Sequence, residues 1–92
     1  MRRRDMLRIE AQEGAMGTRL TLQGDVIGLW VGELQRSCDT ARASGNVLTV
    51  DLTDVGFVDW DGVDLLRRLQ SRGVLLANAP RFVLEQLKVT AR

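Results

Sequence analysis

The sequence predicts a small α/β domain, ordered β-β-α-β-α-β-α, with a mixed four-stranded sheet and helices packed mainly on one face. Three observations lead there. Apolar and polar residues alternate over three segments, the period of a strand buried on one face. Three other segments repeat apolar residues at spacings of three and four, the period of an amphipathic helix. A short connection joins the first two strands, which makes them an antiparallel hairpin, whereas helical segments separate the later strands as in parallel crossovers.

Leu7, Ile9 and Ala11 alternate with Arg8, Glu10 and Gln12 to form the first strand, and Gly14-Ala15-Met16-Gly17 makes a glycine-rich turn. Leu20 and Leu22 among Arg19, Thr21 and Gln23 mark the second strand. Trp30, Leu34, Cys38 and Ala41 then fall on one helical face, and Ser44-Gly45-Asn46 supplies the stop. Leu48, Val50 and Leu52 alternate with Val47, Thr49 and Asp51 in the third strand, with Phe57-Val58 as an extension after an irregular stretch. Leu65, Leu66 and Leu69 define a short second helix ended by Ser71-Arg72-Gly73, and Val74 to Ala77 is the fourth strand. Asn78-Ala79-Pro80 opens the third helix, with Asn78 as its cap and Val83, Leu84 and Leu87 as its apolar face, while the residues from Lys88 onward are expected to fray.

At 92 residues the chain is one domain of modest core. Residues 1–5 read as a flexible basic N-terminus and 6–92 as the folded unit. Hydrophobic residues at 45% and charged ones at 27% are ordinary for a soluble globular protein. A net charge of +1, concentrated in Arg2-Arg3-Arg4, argues against a nucleic-acid binder. No apolar run approaches the roughly 20 residues of a membrane span, and no secretory signal is evident. The lone Cys38 forbids an internal disulfide and fits the cytoplasm.

The chain contains no histidine, which removes the commonest general base and metal ligand, and one cysteine builds no zinc site. No phosphate-binding glycine loop appears. Asp51, Asp54, Asp59, Asp61 and Asp64 are expected at or beyond the C-terminal end of the third strand, where open α/β sheets bind ligands. One reading is a Mg²⁺ or phosphoacceptor site. The preferred one is turn formers and caps, with Asp61 and Asp64 as a capping box at the start of the second helix. Catalysis, a cofactor and a metal are accordingly not expected. Cys38 reads as a buried small hydrophobe and Trp30 as an anchor of the same face. Trp60, in the turn before the second helix, reads as an exposed partner contact or as a lid folded over the core.

The stretch Val50-Asp51-Leu52-Thr53-Asp54-Val55-Gly56-Phe57-Val58-Asp59-Trp60-Asp61-Gly62-Val63 resembles the signature of the STAS family. There an apolar strand leads into Asp-Leu-Ser/Thr, a short apolar stretch and Asp-Ser-Ser-Gly-Leu. Leu20-Thr21-Leu22-Gln23-Gly24-Asp25 is similar to the family's second strand and following loop. Gly73-Val74-Leu75-Leu76-Ala77-Asn78-Ala79-Pro80 is similar to its fourth strand and the entry to the next helix. The resemblance covers about residues 6 to 88.

What the resemblance implies is a STAS-like domain and a non-catalytic, bacterial signalling role. The family includes anti-sigma-factor antagonists that bind serine-kinase anti-sigma factors and so regulate transcription. It also includes a subunit docking on the ATPase of a phospholipid-transport complex, and cytoplasmic tails of anion transporters. Phosphorylation of the second serine of the motif blocks partner binding in the antagonists. Here Trp60 and Asp61 occupy the two serine positions, so Asp61 stands where the phosphoserine would. The implied partner-binding residues are Asp59, Trp60, Asp61, Gly62 and Asp64. The expected function is a protein-binding regulatory module without the serine switch. The alternative is an accessory subunit of a membrane-transport ATPase, and a more distant one an acid-rich Mg²⁺-dependent phosphoacceptor or enzyme.

Overall fold

A computed structural model describes residues 6–43 and 45–88 of the chain. The elements follow the expected order: β1 Leu7–Gly14, β2 Gly17–Val26, α1 Leu29–Arg42, β3 Leu48–Val58, α2 Trp60–Ser71, β4 Leu75–Ala77 and α3 Arg81–Lys88. They form one sheet in the order β1-β2-β3-β4. β1 and β2 pair antiparallel across Ala15-Met16, while β2 with β3 and β3 with β4 pair parallel. The expected basic N-terminus, Ser44 of the helix stop and the residues after Lys88 lie outside the described residues, while Lys88, expected to fray, is the last residue of α3.

Period-two alternation directs Leu20, Leu22, Leu48, Val50 and Leu52 to the helix side, where they are buried with Leu34, Cys38, Leu65, Leu66, Leu69 and Val83. Each such side chain contributes on the order of 1.5–3 kcal/mol by leaving water. The opposite face carries Arg8, Glu10, Arg19, Thr21, Thr49 and Asp51, as the cross-strand register requires. Among the described residues no helix is long and apolar enough to cross a membrane.

β3 runs past its alternating stretch to Val58, as the expected extension through Phe57-Val58 has it. Its buried residues change from every second position (Leu48, Val50, Leu52) to every third (Val55, Val58). The cause is two register shifts against β2, between Thr21 and Gln23 and between Gly24 and Asp25, each giving β3 one extra residue. This corrects the placement of two carboxylates. Asp51 and Asp54 lie within the strand and not at its end.

The helix boundaries bring further corrections. Asn78 does not cap α3. It adopts a left-handed conformation (φ 56°), and its side-chain amide donates to Asp51 at 3.4 Å. The carbonyl of Pro80 accepts the first helical bonds, from Val83 and Leu84. Leu84, expected on the buried face of α3, is exposed, because the helix packs through Val83 and Leu87. Trp30 packs on the rim of the core and is half-buried. Val74 precedes β4 but is buried, its N–H donating to Leu69.

Candidate functional site

The site is assembled where β2 and β3 run out and α1 and α2 begin. Asp59, immediately after β3, has the extended backbone (φ −81°, ψ 178°) of a residue one step outside a helix. Its Oδ1 accepts from the Gly62 N–H at 2.8 Å, which caps α2. Its Oδ2 accepts from the Gly28 N–H at 2.9 Å, which ties the β2–α1 loop to the same carboxylate. The Asp59 N–H donates to the Val26 carbonyl at 3.2 Å. One aspartate therefore fixes the relative position of two helix starts.

The cap expected at Asp61 belongs to Asp59. A cap must stand outside the helix and reach the third helical N–H; Asp59 does so at Gly62, whereas Asp61 already lies in the first turn. The expected capping box with Asp64 is therefore absent: Asp64 faces Arg67 at 3.6 Å, one turn on. Asp61 keeps an exposed negative charge near the positive end of the α2 dipole.

Gly62 is buried because nothing larger fits. A Cβ there would stand 2.7 Å from the Val26 carbonyl oxygen and 2.7 Å from a methyl of Val58. Of the five expected partner-binding residues, Asp59 and Gly62 thus build the edge, and Trp60, Asp61 and Asp64 present it to solvent. Trp60 is 58% exposed, so it is not a lid over the core. Leu29 opens α1 directly after Gly28 and is 90% exposed, and Phe57 is 54% exposed. Sequence reasoning missed Leu29. The available signal was an apolar residue following a glycine in the loop that leaves a parallel strand.

The carboxylates expected to cluster are dispersed in separate roles. Asp51 accepts from the N–H and hydroxyl of Thr53 at 2.9 and 2.6 Å and pairs with Arg19 at 2.7 Å. The Thr53 hydrogen bonds, followed by that of Arg19, hold the Asp51 carboxyl well below the usual carboxylate range. Asp59 is committed to two backbone N–H groups. No group of three His, Cys, Asp or Glu side chains suited to a metal ion occurs among the described residues. Cys38 is fully buried, and desolvation pushes its thiol up to about 11, away from the thiolate a nucleophile needs.

No protein-family model and no curated protein matches the chain. Among solved structures, it is similar to the crystal structure of an anti-sigma factor antagonist from Mycobacterium paratuberculosis. That likeness spans 97% of this chain and 100% of that one, with a TM-score of 0.67 and 13% sequence identity. The likeness is one of fold: the STAS-type arrangement expected from the sequence is the arrangement observed.

Proposed function

We propose that the chain is a non-catalytic regulatory module that docks a protein partner with the α2 start, in the manner of an anti-sigma factor antagonist but without a serine switch. The observation that carries this reading is Trp60, 58% exposed on the first residue of a helix anchored by Asp59. A large rigid aromatic side chain on a fixed support is the usual anchor of a protein interface, because it buries much area at small entropic cost. Exposed Leu29, the first residue of α1 and next to the Gly28 that Asp59 holds, adds apolar area. Asp61 and Asp64 supply a charged rim.

Asp61 carries one fixed negative charge at the position matching the phosphoserine, which would carry about −1.5 to −2. With no hydroxyl between Asp59 and Val63, this edge does not cycle with a serine kinase, and the single charge of Asp61 weakens docking only in part. The test is affinity capture from the native cell extract, with partners identified by mass, using the unaltered chain, Trp60→Ala and Asp61→Ser. Recovery of an anti-sigma or kinase-like protein, lost with Trp60→Ala, supports the proposal. Stronger recovery with Asp61→Ser assigns the fixed charge its role, and unchanged recovery removes it. Recovery of a transport ATPase with membrane proteins instead moves the chain to the accessory-subunit reading.

A further inference from the structure

The two edges of the sheet are unequal. β4 is three residues long and offers little to pair with, whereas β1 is an eight-residue edge. Among the described residues no strand pairs with the outer side of β1. Long open edges of this kind are normally covered or blunted. On the helix side, β1 also borders an open groove of about 350 Å³, lined by Ile9, Ala11, Leu20, Arg36, Thr40 and Ala41.

The backbone alternation of β1 is known from its neighbour. Thr18 sends its N–H to the carbonyl of Val47, the residue before β3, so the Glu13–Thr18 pair is not hydrogen-bonded across the hairpin. Leu7, Ile9, Ala11 and Glu13 therefore direct their backbone groups outward. A second copy pairing antiparallel about a two-fold axis must set odd positions against odd ones. Centring on Arg8 opposes two arginines, and centring on Glu10 opposes two glutamates. Centring on Ala11 sets the Glu13 carboxylate against Ile9 on the groove side. Centring on Ile9 meets none of these conflicts over Leu7 to Ala11, the stretch of β1 that the two copies then share. It places Arg8 opposite Glu10 of the second copy twice over, puts Ile9 against Ile9, and sets Leu7 against Ala11.

We propose that β1 is a self-association edge, where a second copy of this chain adds its own β1 antiparallel about Ile9 and continues the sheet through both molecules. Such an isologous contact needs only one self-complementary strand. It brings Ile9 and Leu7 of each copy against Ile9 and Ala11 at the border of the other's groove. Arg8 and Glu10 lie on the helix-free face, so their substitution leaves the core untouched.

The test is sedimentation equilibrium of the full chain over a concentration series, with circular dichroism as the fold control. The unaltered chain is expected to approach twice its 10.3 kDa mass. Arg8→Glu or Glu10→Arg alone converts two opposite-charge pairs into two like-charge ones and weakens the dimer by about tenfold or more. Mixing the two single variants restores opposite charges at both pairs, so a mixed dimer re-forms. A chain that stays monomeric throughout, a dimer indifferent to both substitutions, or a mixture that fails to pair overturns the proposal.

Discussion

Replacing Asp59 by alanine removes two hydrogen bonds from one carboxylate, and the structure sets their worth separately. The bond to Gly62 at 2.8 Å caps α2 in a partly buried setting, where loss of a cap costs about 0.5–2 kcal/mol. The bond to Gly28 at 2.9 Å is solvent-exposed and contributes at the low end of about 0.5–1.5 kcal/mol. Together they amount to about 2 kcal/mol, a sizeable part of a total of about 5–15 kcal/mol. With a urea slope of about 1–1.5 kcal/mol per molar for so small a domain, the midpoint falls by about 1.5 M. Asp59→Asn keeps a capping oxygen and recovers most of the loss. Asp61→Ala, which removes only a charge near the helix dipole, costs under about 1 kcal/mol. Equilibrium urea unfolding reads all three. A midpoint unmoved by Asp59→Ala, or a larger shift from Asp61→Ala, refutes the assignment of the cap to Asp59.

Three other outcomes are expected. Val50→Asp puts an unpaired charge in the core, at a fully buried position near the start of β3, and costs on the order of several kcal/mol, so circular dichroism should show a largely unfolded chain. Cys38 should resist thiol reagents in the native state at neutral pH and react at once in denaturant; rapid native labelling contradicts its burial. Asp51 has a folded pKa below its unfolded value of about 3.9, so its network stabilises the fold above that pH and is lost as pH falls through the folded pKa. Asp51→Asn should therefore cost about 1–2 kcal/mol at pH 7, modest because Arg19 is partly exposed. The gap to the unaltered chain should shrink in acid, and a pH-independent gap speaks against the network.

The order of elements was legible because alternation and helical spacing are strong in Leu20–Leu22, Leu48–Leu52 and Trp30–Ala41, where one face is buried and the other wet. What escaped was set by tertiary fit. The bulges that carry β3 to Val58 depend on its register against β2, which no local pattern encodes. The choice between Asp59 and Asp61 as cap depends on where α2 starts, a matter of one or two residues in a run of aspartates. Asn78 looks like a cap in sequence, yet its amide is engaged across the sheet by Asp51. For Trp60 the sequence left an exposed contact and a lid over the core both open, and its exposure decides between those two alone. Leu29 was not legible, because its exposure follows from the tie between Gly28 and Asp59, 31 residues apart.

The central claim, that Trp60 serves binding and not folding, is tested most directly by measuring both quantities on Trp60→Ala. Titration calorimetry against the captured partner gives the affinity, and a thermal melt gives the stability. The account predicts a binding loss of roughly 2 kcal/mol or more with a stability change under about 1 kcal/mol. Trp30→Ala, at a side chain packed on the core rim, should instead lower the melting temperature. An unfolded Trp60→Ala, or one that binds as tightly as the unaltered chain, contradicts the claim.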